Sequence, residues 1–317
     1  MNEKKRLSGA KNPACAITNT DFSKNACVAC GLSAGCAHAA LVQENDLVAT
    51  LGKIKYKIFV MSGKGGVGKS SVAVNVAAAL AAGGHKVGLL DLDLHGPSVA
   101  NLLGRTAGKL NADPVSKKII PLEFITGLCF ISVDSMLPDP DRAVIWRGPK
   151  KAAAIRSFIA EVQWGDLDFL IIDSPPGTGD EHMTVLKIIP DILSVVVTTP
   201  QEIALSDVRK SLNFLGKTQG KILGIVENMS GLACPQCGAD IPLFKKGGGE
   251  ALAAQKGLAF LGSIAIDPLT VLCADLGRPI VFMDGDSVAK RDFYALADTI
   301  LKNCLENRAA LLKVSRD

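Results

Sequence analysis

The sequence predicts an α/β protein whose central sheet is doubly wound and mostly parallel. Short apolar runs recur from residue 57 onward, and each is followed by a turn and a helix-like stretch. The runs lack strict apolar–polar alternation, which is typical of strands covered by helices on both faces. The 31 glycines and the low aromatic content of 5% suit many turns and closely packed helices. This βαβ alternation favours a parallel sheet.

Seven apolar runs are the predicted strands. In chain order they are KIFVMSGKGG, KVGLLDLDLHGPS, LCFISVDSM, DFLIIDSPPG, ILSVVVTTP, KILGIVENMS and LAFLGSIAID. The predicted helices between them include SSVAVNVAAALAAGG, RGPKKAAAIRSFIAEV and SDVRKSLNFLGKT. Ligands of such sheets collect at the carboxyl ends of the strands, so the functional residues are expected in the loops that follow the runs.

Charge and hydropathy point away from membranes, secretion and nucleic acid. The 35 basic and 31 acidic residues give a formal net charge of +4, without a long basic block. There is no stretch of 18 uninterrupted apolar residues, and the charged start MNEKKRLSGAKNPAC lacks the apolar segment of a secretory signal. Nine cysteines, an odd number, are more typical of reduced thiols or metal ligands than of disulfides. We expect a cytoplasmic protein.

A phosphate-binding loop follows the first predicted strand. The segment GKGGVGKSS satisfies G-x-x-x-x-G-K-[ST] between a strand and a helix, which predicts a P-loop NTPase fold that binds ATP. The glycines let backbone amides point at phosphate oxygens, the lysine reaches the β- and γ-phosphates, and the serine hydroxyl can ligate Mg²⁺. The residues expected to contact nucleotide here are Gly63, Lys64, Gly65, Gly66, Val67, Gly68, Lys69, Ser70 and Ser71.

Lys64 is an additional lysine just after the first glycine of this loop. It resembles the signature lysine of the deviant-Walker ATPases, the class of MinD and ParA. The resemblance implies that Lys64 crosses a dimer interface and contacts the nucleotide of the other subunit. The alternative is an ordinary solvated loop lysine.

Acidic residues at two further strand ends complete the predicted Mg-ATPase site. Asp173 ends the run DFLIID and suits Mg²⁺ binding through water, while Asp93 could orient the attacking water. Asp91 could support either Mg²⁺ or the loop that follows it. The alternative for any one of these carboxylates is helix capping. Hydrolysis is expected to be slow, because the sequence shows no arginine finger in cis.

Several motifs in order resemble the Mrp/ApbC family, whose members are P-loop ATPases that carry iron–sulfur clusters to recipient apoproteins. They are VIWRGPKKAAAIRSF, LIIDSPPGTGDEH, ALSDVRKSLNF, VENMSGLACPQCG and DLGRPIV, and the similarity runs from about residue 51 to 305. The resemblance implies a homodimer, or a hetero-complex with a related ATPase, that shares a [4Fe–4S] cluster between subunits. It also implies that Asn228 recognises the adenine.

Cys234 and Cys237 have the two-residue spacing of a metal-binding pair. A closed site usually needs four protein ligands. A two-fold axis presents the same patch twice, so two copies of this pair would hold the shared cluster that the resemblance implies. The alternative is a zinc knuckle completed within one chain by Cys27 and Cys30.

The amino-terminal arm has a cysteine set of its own. The expected domain division is an arm over residues 1–50 and an ATPase domain over residues 51–317. The arm cysteines are Cys15, Cys27, Cys30 and Cys36. Their pattern resembles the amino-terminal [4Fe–4S] motif of the longer family members, although the first interval is two residues shorter, which makes Cys15 the least secure ligand. Zinc is the alternative metal, because spacing does not identify the metal.

The predicted function is therefore an ATP-dependent iron–sulfur scaffold that transfers [4Fe–4S] clusters to apoproteins. One rival is a MinD/ParA-like positioning ATPase, which leaves both cysteine motifs unexplained and would need a DNA or membrane contact. For a membrane form, the tail NRAALLKVSRD would have to be an amphipathic anchor rather than a packing helix. Other rivals are a zinc-stapled, non-catalytic scaffold and an electron-delivering ATPase like the nitrogenase reductase, whose ligands are not a CxxC pair.

Overall fold

The computed structural model describes residues 37–94, 96–104, 110–136, 148–234, 236–237, 239–241 and 243–314. Within these residues the strands are β1 (Ile54–Ser62), β2 (Val87–Asp91), β3 (Asn111–Ala112), β4 (Ile119–Ile120), β5 (Leu122–Ile125), β6 (Leu128–Ile131), β7 (Leu167–Asp173), β8 (Leu193–Thr198), β9 (Lys221–Ala233), β10 (Asp240–Ile241) and β11 (Phe260–Ile266). The α-helices are α1 (Ala37–Gly52), α2 (Lys69–Ala82), α3 (Val99–Leu102), α4 (Gly148–Ala160), α5 (Asp180–Ile188), α6 (Glu202–Lys217), α7 (Gly248–Lys256), α8 (Pro268–Asp275) and α9 (Val288–Val314). Each of the seven predicted strands and three predicted helices is present.

Nine strands form one mostly parallel sheet, which confirms the predicted fold class. Their order is β10-β9-β8-β1-β7-β2-β6-β5, and β11 pairs with β9. The central strand β1 lies parallel to both β7 and β8. Two pairings in this sheet are antiparallel, β5 with β6 and β10 with β9. The short strands β5 and β10 were not predicted, because four and two residues are too few to show a hydrophobic period.

Each face of the sheet is covered by its own apolar core. Ile58 and Val60 of β1 belong to a core shared with α2 and α9, whereas Phe59 and Met61 belong to the core on the other face, with α4 and α6. All four side chains are at most 2% exposed. Helix α2 is rich in alanine, which lets it approach the sheet closely. The burial of both faces explains why the strand runs lack apolar–polar alternation.

The functional loops meet at the carboxyl edge of this sheet. Strand β1 leads into the glycine-rich loop 63–68, β2 ends at Asp91, β7 ends at Asp173, and β9 leads into Cys234. The register pairs Asp91 with Asp173 across β2 and β7, and Val60 with Asp173 across β1 and β7. Parallel pairing therefore brings together segments that are far apart along the chain.

Helix α1 spans the domain boundary expected between residues 50 and 51. Leu47 of α1 is 2% exposed and packs in the same core as Ile155 and Phe158 of α4. Arg156 of α4 also forms a salt bridge of 3.1 Å with Glu44 of α1. Leu47 and Glu44 therefore attach α1 to α4, and residues 1–36 of the expected arm lie outside the described residues.

The long helix α9 packs along the sheet at the carboxyl end of the chain. Its Phe293, Leu296 and Ile300 are each 1% exposed, and α9 continues to Val314. Residues 307–314 of the segment considered as an amphipathic anchor therefore belong to this helix, and residues 315–317 lie outside the described residues. Within the described ranges, every helix is too short or too polar to cross a membrane.

Candidate functional site: a phosphate loop joined to a thiol pair

The glycine-rich loop wraps from β1 into the first turn of α2. Gly66 and Gly68 have φ angles of +79° and +78°, which side chains with a Cβ rarely adopt. There is no room for a side chain at Gly63, because a Cβ there would lie 2.4 Å from the backbone of Asp207 on α6. The Ser62 hydroxyl donates to the Lys64 carbonyl at 2.9 Å. The loop thus has the backbone conformation that a phosphate cradle requires.

Lys69, Ser70 and Asp173 are brought together at the head of α2. Nζ of Lys69 lies 2.6 Å from Oδ1 of Asp173, and both side chains are buried. The same ammonium donates to Oγ of Ser70 at 3.2 Å. Burial raises the pKa of Asp173 above its ordinary value, although the Lys69 ammonium acts to lower it. The other oxygen of Asp173, Oδ2, is buried without a hydrogen-bond partner.

Asp91 holds the loop that follows β2. Its Oδ1 accepts from the backbone N–H of Asp93 at 3.0 Å, and its Oδ2 accepts from the N–H groups of Ser98 and Val99, each at 3.2 Å, and from the Ser132 hydroxyl at 3.1 Å. Burial and then the neighbouring Asp173 raise the pKa of Asp91 to about 7. Of the two roles considered for Asp91, this geometry supports the loop.

The remaining predicted nucleotide residues lie around the same loop. Gly65 and Gly66 are exposed, Lys64 and Ser71 are half-buried, and Val67 is buried. The Lys64 ammonium forms no salt bridge with the described part of the chain. Asp93 is half-buried, and its Oδ1 accepts from Gly96 N–H at 3.2 Å. The intersubunit role expected for Lys64 stays a prediction.

Asn228 of β9 is in direct contact with the phosphate loop. Its Nδ2 donates to the Val67 carbonyl at 2.9 Å, and the side chain is 8% exposed. A Cβ at Gly68 would lie only 2.2 Å from the same nitrogen. Further along β9, Met229 and Gly231 have positive φ angles, of +59° and +78°. The pairing of β9 with β11 is irregular between Asn228 and Leu232, just before the thiol pair.

Cys234 and Cys237 occupy the turn that ends β9. Cys234 is half-buried and Cys237 is exposed, and both are free thiols. Hydrogen bonds from the backbone of Cys237 and Gln236 lower the pKa of the Cys234 thiol. Such amide donors favour the thiolate, which is the form that binds metal. Among the described residues no third histidine, cysteine or carboxylate joins the pair to form a metal site, and the four arm cysteines lie outside those residues.

Glu227 is a site residue that the sequence analysis missed. It is fully buried beside Asn228, and its carboxylate accepts from Ser230 Oγ at 2.6 Å, Gly247 N–H at 2.8 Å and Gly249 N–H at 2.5 Å. These bonds tie β9 to the amino terminus of α7. The available signal was a carboxylate inside the otherwise apolar run KILGIVEN.

Comparison with known proteins identifies the family. A family model described as a ParA-type NUBPL iron-transfer P-loop NTPase matches residues 53–301. The chain belongs to this family of iron-transfer P-loop NTPases. The resemblance to iron–sulfur carriers seen in the sequence is thereby confirmed.

The relatives of this iron-transfer P-loop NTPase have concordant names. An iron-sulfur cluster carrier protein of Methanococcus maripaludis is 45% identical over 280 residues, which cover 87% of this chain and 96% of the relative. A cytosolic Fe-S cluster assembly factor, CFD1 of Chaetomium globosum, is 42% identical over 278 residues, covering 84% and 91%.

Solved structures with the same fold include nucleotide-binding proteins. A nucleotide-binding protein of Archaeoglobus fulgidus in complex with ADP has a TM-score of 0.66 and 36% identity, covering 78% of this chain and 98% of that one. The cell division ATPase MinD of Pyrococcus furiosus has a TM-score of 0.57 and 25% identity, covering 78% and 99%. The iron-transfer NTPase therefore has the MinD/ParA type of fold.

Proposed function

We propose that this chain is an ATP-dependent scaffold and carrier that binds [4Fe–4S] clusters and transfers them to apoproteins. One observation carries the proposal: strand β9 contains Asn228, which is bonded to the phosphate loop, and leads directly into Cys234, which begins the thiol pair. A movement of the loop on nucleotide binding would reach the thiols through a single strand. The carrier and assembly-factor names of the relatives also support the proposal.

The residues at the loop fit MgATP and its slow hydrolysis. The unpartnered Oδ2 of Asp173 is a buried acceptor without a donor, as expected where a water on Mg²⁺ would donate. Ser70 would ligate the ion, and the Lys69 ammonium would leave Asp173 and bind the β- and γ-phosphates. Asp93 would orient the attacking water, and Lys64 would reach the nucleotide of a second copy. Bound Mg²⁺ supplies charge neutralisation at the phosphates.

The thiol pair suits a cargo cluster shared between two copies. Cys234 and Cys237 provide two thiolates, half of what a [4Fe–4S] cluster takes. A second copy, or a related ATPase in a hetero-complex, would supply the other half by symmetry. A further cluster would lie within one chain on the four arm cysteines.

Nucleotide would control how tightly the shared cluster is held. ATP binding would close the two copies and hydrolysis would relax them, provided that nucleotide binds the two arrangements unequally. A cytoplasmic location is part of the proposal and is supported by the cytosolic assembly factors among the relatives. The release step would then deliver the cluster to an apoprotein there.

The test is metal and sulfide counting on the Cys234→Ala/Cys237→Ala double variant after anaerobic purification, with oligomer mass measured alongside. With two arm clusters and one shared cluster per dimer, we expect iron and acid-labile sulfide to fall by about a third and the dimer to weaken. Cys129→Ala, which removes a half-buried thiol elsewhere, is the matched control. The proposal would be overturned if the wild type were a monomer with its full iron content, if the double variant lost no iron, or if the wild type contained zinc in place of iron.

A further inference from the structure

A large cavity lies at the edge of the sheet opposite the phosphate loop. Its volume is about 980 Å³, and it is surrounded by the amino-terminal ends of the central strands, including Ile54 of β1, Leu167 of β7 and Leu193 of β8. The phosphate loop and Asp173 follow the other ends of β1 and β7. The cavity is therefore separate from the nucleotide site and from the thiol pair.

The floor of the cavity is apolar. Tyr56, Leu167, Leu193 and Cys304 line it and are each at most 8% exposed. Burial raises the pKa of the Cys304 thiol to about 12, so this sulfur is a neutral part of the floor near neutral pH. Small-molecule sites usually combine such an apolar lining with a few polar groups, in volumes of roughly 300–1,000 Å³.

The rim of the cavity carries an excess of positive charge. Six cationic side chains and three carboxylates line it. Two of the carboxylates are paired, Asp168 with Lys55 at 2.5 Å and Asp191 with Lys57 at 2.9 Å. The cations that form no salt bridge within the described ranges are Lys53, Lys86, Lys221 and Arg308. One carboxylate, Asp166, remains to offset these four cations.

Tyr56 adds a polar group to the floor. Its ring stacks on Phe169 with centroids 5.2 Å apart, and the guanidinium of Arg308 lies 5.9 Å from the Tyr56 centroid. The tyrosine side chain is 8% exposed, and its hydroxyl forms no hydrogen bond with the described part of the chain. It is therefore available to bond to a ligand oxygen in the cavity.

We propose that this cavity binds a small organic anion, with its apolar body on the floor and a carboxylate or phosphate group at the basic rim beside Arg308 and Lys221. The unpaired cations select for negative charge, and the buried floor selects for an apolar body. The concave shape and volume favour a small molecule over a macromolecule. The site is independent of the proposed cluster chemistry.

The test is isothermal titration calorimetry on the full chain in excess MgADP, which keeps the phosphate loop occupied. The probes are decanoate and decyl phosphate, with inorganic phosphate and decyltrimethylammonium as controls. We expect one site per chain for decanoate, decyl phosphate or both, and binding at least about tenfold weaker for either control. Binding of one anionic probe alone identifies the preferred head group.

A double variant with reversed rim charge, Lys221→Glu/Arg308→Glu, assigns the binding to the cavity. We expect its affinity for the anionic probe to fall at least about tenfold, with thermal unfolding unchanged because both positions are exposed. Lys256→Glu, at an exposed lysine of α7 away from the cavity, is the matched control and should bind as the wild type does. Absence of binding by both anionic probes, equal binding of the cationic probe, or equal affinity in the double variant would overturn the proposal.

Discussion

Lys69 and Asp173 form a buried ion pair of 2.6 Å at the head of α2, beside the glycine-rich loop. Both partners are almost inaccessible to solvent, so loss of one leaves an uncompensated buried charge. We therefore propose two roles for the lysine: it pairs with Asp173 when no nucleotide is present, and it binds a phosphate when nucleotide is bound. A Lys69 variant has to be assessed for stability as well as for activity.

A mixing experiment separates the roles of the two loop lysines. We expect Lys69→Ala and Lys64→Ala each to lose ATP hydrolysis at least about 100-fold, since the first loses its own phosphate contact and the second the contact it makes to the other copy. An equal mixture should recover about a quarter of wild-type activity, because half of the dimers are hybrids with one competent site. The measurement is steady-state phosphate release, with urea unfolding to verify each fold. If the mixture stays inactive, Lys64 does not act across the interface.

A buried histidine predicts how stability depends on pH. His182 lies between Phe59 and Phe214, its Nδ1 accepts from Gly179 N–H at 3.2 Å, and its Nε2 is buried without a partner. Burial lowers its pKa from 6.5 to about 4. The unfolded chain therefore binds more protons between these values, so stability rises with pH across this window and is lost as pH falls through it.

Urea unfolding of His182→Asn tests this dependence. The asparagine oxygen can still accept from Gly179 but does not titrate. Between about pH 6.5 and about pH 4.5 we expect the wild type to lose on the order of 2 kcal/mol more unfolding free energy than the variant. His85→Asn, at a half-buried histidine outside this core, should follow the wild type. Parallel curves for wild type and His182→Asn would show that His182 is not the cause.

At the scale of elements, strand β9 is the part of the fold that links the two sites. It contacts the phosphate loop through Asn228, leads into Cys234, and is attached to α7 through Glu227. The positive end of a helix dipole favours a carboxylate at the amino terminus of that helix. The irregular part of β9 at Met229 and Gly231 therefore lies beside two attachments of the strand, one to the phosphate loop and one to α7.

Removal of the Glu227 anchor should destabilise the fold. Glu227→Ala leaves the N–H groups of Gly247 and Gly249 without their acceptor, so we expect the free energy of unfolding to fall by on the order of 3 kcal/mol. The measurement is equilibrium unfolding in urea. Glu250→Ala, at an exposed position in the first turn of the same helix, is the control and should change stability by less than about 0.5 kcal/mol. Equal effects of the two substitutions would contradict an anchoring role.

At the scale of the whole molecule, strand order decides which residues meet. Because β1 lies between β7 and β8, Asp173 is beside Lys69, which is 104 residues away in the sequence. The same order places β9 one strand further out, so that its carboxyl end carries the thiol turn on the same edge as the phosphate loop. The cavity with the basic rim lies at the opposite edge.

Thiol alkylation can measure coupling along this edge. We propose that β9 transmits movement of the loop to the turn. In cluster-free protein we therefore expect the rate at which iodoacetamide modifies Cys234 and Cys237 to differ at least about threefold between MgATP and MgADP. Asn228→Ala removes the contact with the Val67 carbonyl and should make the two rates equal. The rate at Cys129 is the internal control and should not respond to nucleotide. Equal rates in the wild type would refute the coupling.

Much of the fold was predictable because its signals are local. Buried strands appear as unbroken apolar runs, and the phosphate loop appears as glycines and a lysine at set spacings. The short antiparallel strands and Glu227 were not predictable, since neither a two-residue strand nor one carboxylate in an apolar run shows which residues it will meet. The predicted roles of Lys64 and Asn228 stay predictions.

The sequence alone predicted the succession of the main strands and helices along the chain, the glycine-rich loop and the close spacing of Cys234 and Cys237, because each depends on residues that are near one another in the chain. The tertiary structure decided three further features. They are the carboxylate that pairs with Lys69, the carboxylate that holds the loop after β2, and the basic cavity at the opposite edge of the sheet. The physical reason is that pairing across the sheet joins distant segments, and burial then sets the charge balance of the groups that meet.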